Sequence, residues 1–504
     1  METFDFIVVG AGTAGCVLAA RLSADPGVRV LLLEAGSAER PAAMANPMAW
    51  FALAGTSVDW SYRTVPQVGT EEAVHRWPRG KVLGGSSAIN GMMHVRGDRS
   101  GYDAWAAGGA TGWTYDELLP YFKRSERAVG GDPRYRGTTG PMVIEPVATA
   151  PTDPLWEALY EAAAQAGHAR NPDGNGASAE GVAWCESNVV DGVRQSAADA
   201  YLAPITGRAN LTVRTGALAN RLLVEAGVCR GVEYTVGGQA RTSLAEREVV
   251  LAAGAIGSPR LLLLSGIGPG QHLREVGIDV LADVPGVGAN LHDHPKSEVA
   301  YTATRPVRTS HYARKPHVLL RSEPAADPDL QMIFIDFPMH PRFTPGPEDG
   351  FSVIFALMTP ASRGTVRLAS ADPDRAPLVD PNYLAEEADL ARLVTGLRRA
   401  REVGEAPALA GFRDKELFPG PVARADEALR AHLRRSVSTY FHPVGTCRIG
   451  TDAGSVVDPR LAVHTVANLR VVDASVLPSL VAGNTNAPVL AIAERAATLL
   501  GAPG

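Results

Sequence analysis

At 504 residues the chain exceeds what one hydrophobic core usually serves, so two domains are expected. Its 52 glycines and 37 prolines stay below the ~25–30% that marks low complexity, which leaves a globular, loop-rich protein. A net charge of −6 with both signs mixed along the chain offers no nucleic-acid or anionic-membrane surface.

Four cysteines, Cys16, Cys185, Cys229 and Cys447, stand without CxxC or metal-ligand spacing, which predicts a reduced, cytoplasmic protein. The first apolar run begins at Phe4 and leaves no room for a signal peptide. Longer apolar stretches are broken by Arg260, Arg470 or Asn484–Asn486, so none reaches the ~18–20 residues of a membrane span.

Phe4–Val9 is a continuous apolar run rich in β-branched residues, as a strand buried on both faces requires. Gly10, Gly12 and Gly15 follow as G-x-G-x-x-G, and a helix is expected from Ala14 to about Ser23. Val28–Leu33 reads as a second strand ending in Glu34, whose carboxylate can accept from a ribose. Alone, the glycine pattern is weak; with strand, helix, strand and acid in register it predicts a dinucleotide site. An acid at Glu34 disfavours a 2′-phosphate, so FAD or NAD is expected ahead of NADP.

Residues 37–78, with Asp59-Trp60-Ser61-Tyr62 in the middle, read as a long irregular loop, the kind that wraps a ligand. In RGKVLGGSSAING (79–91), paired glycines and Ser-Ser offer backbone and hydroxyl donors to an anion, or form a plain turn. Residues 101–128 read as helical, with Trp105, Trp113 and Tyr115 packing, and 154–167 as a helix stopped at Gly167. Leu211–Val213, Ala217–Glu225 and Arg230–Val236 read as a small antiparallel element, and Glu248–Ala253 as a buried strand. It leads into a helix with Ser258 as cap, Pro259 at its first position and Gly266 as its stop, presenting free N–H groups.

From about 296 to 437 the composition shifts to strands at Asp329–Met339, Phe351–Met358 and Gly364–Ala369, then helices at Glu386–Val403 and Asp426–Ser436. This predicts a sheet-plus-helix second domain. Its Met332, Phe334, Phe355 and Met358 are ordinary core or pocket lining. Leu469–Val472 returns as a strand, Asp473-Ala474-Ser475 as a turn and Val489–Leu500 as a closing helix. Near the end, His442 sits in an aromatic, glycine-punctuated setting, equally suited to structure or chemistry. Amides at Asn484 and Asn486 precede the last helix. His292-Asp293-His294 lacks a third ligand and reads as a turn brace, so no metal is expected.

These motifs together resemble the glucose–methanol–choline (GMC) family of FAD-dependent oxidoreductases. They are GAGTAG with Glu34, RGKVLGGSSAING, GAIGSPRLLLLSGIG (254–268), VGANLHDHP (287–295), FHPVGTCRIG (441–450) and VVDASVLPSLVAGNTNAP (471–488). The resemblance runs essentially from Phe4 to Leu500. It implies an α/β fold with a Rossmann-like FAD-binding domain from 1–147, 187–295 and 438–504. A substrate domain from 148–186 and 296–437, an antiparallel sheet plus helices, would cap it.

By position, the resemblance puts Leu83, Gly85, Asn90, Gly91, Met92 and Met93 along the pyrophosphate and isoalloxazine ring. It puts Ala219 by the adenine, and Asp473, Ala474 and the backbone to Val489 at the ribityl chain and ring. Thr13, Ala14, Ala35, Trp60 and Ala253 complete the cofactor surroundings. His442 matches the active-site histidine and Asn486 the second active-site position. Ile89 occupies the position of a histidine that tethers flavin in some members, so FAD is expected to be noncovalent; His94 has no tethering role.

The implied reaction is oxidation of an alcohol CH–OH. His442 takes the hydroxyl proton, hydride passes to flavin N5, and O2 (giving H2O2) or a quinone-type acceptor reoxidises the flavin. A lyase or decarboxylase on the same scaffold is the alternative. If Tyr440–His442 is extended, Tyr440 and His442 share a side. Tyr440 would then crowd oxygen's approach and leave a modest oxygen reactivity; otherwise it merely packs.

Overall fold

A computed structural model describes residues 2–145, 152–308, 314–342, 344–346 and 348–502. Two sheets organise it. In the first, strands lie in the order Leu211–Arg214, Val30–Leu33, Glu2–Val9, Gln239–Leu251, Val228–Val236, Ala217–Glu225. Leu469–Val471 adds to the far end of Gln239–Leu251. The central pairings are parallel. That arrangement explains the unbroken apolar runs, since Phe4–Val9 and Val30–Leu33 are buried throughout. Thr13–Leu22 covers one face and packs along the closing helix Asn486–Leu499.

The second sheet is antiparallel, in the order Arg413–Phe418, Pro295–Ala303, Gly350–Leu357, Leu330–Ile335, Lys315–Leu320, Gly181–Ser187, Met93–His94. Ser438–Thr439 pairs with the start of Pro295–Ala303. Helices Pro154–Gln165 and Glu387–Glu405 pack on one face. Period-2 alternation then sorts the side chains. Met332, Phe334 and Phe355 join the core beneath those helices, while Ile333, Ile335 and Ile354 face the other way, toward Tyr440. Met358 falls in that second cluster, so the strand residues expected as core or lining are chiefly core.

Several expected elements shift. Leu211–Arg214 pairs in parallel with Val30–Leu33 rather than joining an antiparallel element; only Ala217–Glu225 and Val228–Val236 form the hairpin. Glu248–Ala253 is the end of the longer strand Gln239–Leu251. The stretch 101–128 divides into helices Arg99–Ala107 and Tyr115–Ser125 and a strand Glu126–Ala128. Glycines 108, 109 and 112 interrupt it, and Thr114 and Glu117 form a reciprocal cap that starts the second helix afresh.

The helix expected to start at Ser258 begins at Gly254, with Pro259 inside it. Proline removes the N–H that would reach the Ala255 carbonyl, and the Thr446 hydroxyl donates to that carbonyl instead, at 2.6 Å. The N–H groups expected to be free are occupied: Ala253 N donates to Ser258 Oγ at 3.1 Å and Gly254 N to the Asp473 carboxylate at 2.9 Å. The closing helix starts at Asn486 rather than Val489, because Pro488 is tolerated in a first turn. Among the described residues no helix is long and apolar enough to cross a membrane.

Candidate functional site

A cavity of about 900 Å³ runs from the glycine-rich turn of the first sheet to the inner face of the second. At one end the packing demands glycine. A Cβ on Gly15 would stand 1.8 Å from the Gly10 carbonyl oxygen, and one on Gly85 (φ +52°) 2.6 Å from Gly12 Cα. Two backbone loops therefore touch while the edge of Gly12 stays open to the cavity. The helices Thr13–Leu22 and Asn486–Leu499 both start at this cavity, and neither has a side-chain cap. Their first N–H groups and positive dipole ends suit an anion.

Glu34 closes the second strand, accepting from Ala11 N (3.0 Å) and Gly36 N (2.8 Å). Burial pushes its carboxyl up to about 7 against those bonds and Lys81. Lys81 also stands 4.8 Å above the Trp60 ring, which stacks with Tyr62. Of the Ser-Ser hydroxyls, Ser87 donates to the Gly84 carbonyl (2.6 Å), so its proton serves the turn rather than an anion.

At the other end, His442 is held by three residues from two segments. Its backbone N donates to Asp293 Oδ1 (2.7 Å), its Nδ1 lies 2.9 Å from His294 Nδ1, and its Nε2 lies 3.3 Å from Asn484 Nδ2. The preceding Phe441 has φ +68°, an uncommon conformation for a bulky residue, and Arg79 Nη2 holds its carbonyl at 2.8 Å. Asp293 also accepts from the Tyr383 hydroxyl at 2.5 Å. Burial, with His294 and Arg79 nearby, lowers the His442 pKa well below the ordinary imidazole value, so the ring is neutral at neutral pH.

The expected alternation through Tyr440–His442 fails because Phe441 is not extended, yet the two rings still meet, 4.8 Å apart and edge-on. Tyr440 lines the cavity as a buried residue, its hydroxyl donating to Gln331 Oε1 at 2.9 Å.

The cavity brings together Gly10, Gly12, Thr13, Ala14, Glu34, Ala35, Trp60 and Gly85 with Asn90, Gly91, Met92, Met93, Ala219, Ala253, Asp473, Ala474, Val489, His442 and Asn486. Gly15 and Leu83 do not line it: Gly15 packs on the turn and Leu83 against the first core. Asn486 is not the amide beside His442. Its Oδ1 accepts from Thr13 Oγ1 at 2.8 Å, and Asn484, two residues before the helix, faces the imidazole. Sequence reasoning missed Asn484, Arg79 and His294. The Asn-Thr-Asn repeat was the available signal for Asn484, and only the helix start decides between the two amides. Ile89 lines the cavity at the tether position; His94 does not, and pairs with Glu126 at 3.1 Å.

Residues 4–296 and 360–493 match the N- and C-terminal family models of GMC oxidoreductase. The chain is 40% identical to mitochondrial choline dehydrogenase of Homo sapiens, over 99% of this chain and 90% of that protein. It superposes on pyridoxine 4-oxidase from Mesorbium loti with a TM-score of 0.93 at 37% identity, covering 99% and 100% of the two chains. A formate oxidase of Aspergillus oryzae RIB40, whose FAD is subject to modification, superposes with a TM-score of 0.91 at 27% identity over 99% and 98%. The chain belongs to the GMC oxidoreductase family, FAD-dependent enzymes that oxidise alcohols. Its cavity fits that cofactor: close-packed backbone and helix starts for a pyrophosphate, Glu34 for a ribose, and a histidine and amide beyond. The lyase alternative is not favoured.

Proposed function

We propose that this enzyme oxidises a small primary alcohol, with His442 as the base and Asn484 as the orienting amide. The observation that carries this reading is the pairing of His442 Nε2 with Asn484 Nδ2 at 3.3 Å in the cavity that holds the glycine-rich turn. An alcohol entering there donates its hydroxyl hydrogen to Nε2 while its oxygen accepts the Asn484 N–H. The amide thus fixes the oxygen without competing for the proton. A neutral His442 is ready to take that proton. When bound, FAD supplies the oxidant that accepts hydride from the carbinol carbon.

The likeness to a choline dehydrogenase and a pyridoxine oxidase supports a primary carbinol and leaves both acceptor types in play, O2 and a quinone. The division into an FAD domain and a capping substrate domain follows the two sheets. Four free, buried cysteines support a cytoplasmic setting. Steady-state turnover of an alcohol panel, with oxygen and a quinone dye side by side, tests the reading; no flavin bleaching with any alcohol would sink it. FAD is noncovalent because Ile89 offers no nucleophile at the tether position. Acid precipitation releases the yellow colour to the supernatant, and colour left in the pellet contradicts this.

A further inference from the structure

The carboxylate next to His442 is not the group that orients its imidazole. Asp293 spends Oδ1 on the His442 backbone N–H and Oδ2 on the Tyr383 hydroxyl. The ring's Nδ1 instead meets a second imidazole, His294 Nδ1, at 2.9 Å. Two nitrogens at that distance share one proton between a donor and an acceptor. His294 is fully buried, its backbone carbonyl accepts from the Tyr440 N–H at 3.0 Å, and its ring lies edge-on to His442. Burial pushes the His294 pKa down to about 3, against the backbone of Met358 and of Val481, so this ring is neutral. His294 Nε2 is buried without a hydrogen-bond partner among the described residues.

We propose that His294 is a positioning residue, an acceptor for His442 Nδ1–H that fixes the tautomer whose Nε2 lone pair faces Asn484 and the alcohol. The proposal rests on His442 as the base. Every proton then points one way: the Asn484 amide donates to His442 Nε2 until an alcohol enters and takes over both contacts, His442 Nδ1–H donates to His294 Nδ1, and His294 keeps its own proton on Nε2. The opposite assignment turns the Asn484 amide around and puts a proton on His442 Nε2, where it would meet the alcohol hydrogen head-on. When His442 takes the alcohol proton, His294 remains an acceptor and stabilises the imidazolium without introducing a charge of its own. This does the work that a carboxylate does for the histidine of a serine-hydrolase triad. The ionisable groups facing the pair are Arg79, Asp293, His292 and Tyr440.

Nitrogen-15 spectra of the histidine-labelled holoenzyme, with His442→Gln to assign the signals, read the tautomer directly. A proton on His442 Nδ1 is expected, and a proton on Nε2 overturns the proposal. In stopped flow, His294→Leu removes the acceptor and His294→Gln keeps one. The leucine variant should reduce its flavin slower by on the order of 10- to 100-fold, the cost of misplacing a reacting group. Loss of the acceptor destabilises the imidazolium, so its acid limb moves to lower pH. The glutamine variant should recover most of the rate and the limb. Equal slowing in both variants with an unmoved limb would mean that His294 only packs. If His294→Leu does not fold, the wild-type spectra decide alone. The base assignment fails separately, through a His442→Ala enzyme that still reduces flavin at the wild-type rate.

Discussion

The two ends of the cavity are built by opposite means. The nucleotide end is mostly backbone: glycines packed against glycines, helix starts and one buried carboxylate, with Gly10 to Glu34 supplying all but Gly85 and the last helix. The histidine end is made of side chains, with Arg79, Asp293, His294, His442 and Asn484 arriving from four distant segments. Close backbone approach tolerates no side chain, so it can be specified locally. Proton transfer needs particular nitrogens at particular distances, which only the assembled fold supplies.

The sharpest way to separate the two ends is His442→Ala. Flavin reduction by substrate should fall by roughly 10²–10⁴-fold, the usual worth of a general base, while the FAD content stays that of wild type. Loss of flavin together with rate would mean that the ends are not independent. Next come the two amides. Asn484→Ala should slow reduction on the order of 10-fold or more by loosening the alcohol's orientation. Asn486→Ala breaks the Thr13 link instead, so it should lower FAD retention and leave reduction by the flavin-loaded fraction nearly unchanged. Equal kinetic losses in both would place both amides at the histidine end.

The pH profile probes the same boundary. His442 has a lowered pKa, so its neutral form persists as pH falls through the ordinary imidazole range and is lost only below it. The acid limb of kcat/KM should therefore lie below the ordinary imidazole range; a limb at or above the ordinary value contradicts the neutral base. The smallest expected effect is at Tyr440, which touches His442 but is anchored to Gln331. Reoxidation of reduced enzyme by O2 should rise modestly in Tyr440→Val, and an unchanged or slower rate removes any gating by the phenol.

This contrast also explains what was legible beforehand. Phe4–Val9, Gly10, Gly12 and Glu34 announce the nucleotide end because period, turn chemistry and strand terminus are local properties. The family resemblance carried His442 and the bipartite fold with it. Asn484 was lost to Asn486 because the choice depends on where the last helix begins, and Pro488 suits either start. His294 read as part of a turn brace because its partner lies 148 positions away. Ser258 read as a cap because the real continuation of that helix through Pro259 relies on the Thr446 hydroxyl, which no local pattern reveals.

The Thr13–Asn486 hydrogen bond spans 473 positions and joins the first helix to the last. On the ribosome, where chains grow at about 5–20 residues per second, the glycine-rich turn therefore waits on the order of half a minute or more for its lid helix. During that time the apolar face of Thr13–Leu22, buried in the finished molecule, has no Asn486–Leu499 to lie against. The full enclosure of the cavity is accordingly a late event in synthesis, and a nascent chain stalled before the last helix would carry its nucleotide fingerprint intact but half enclosed.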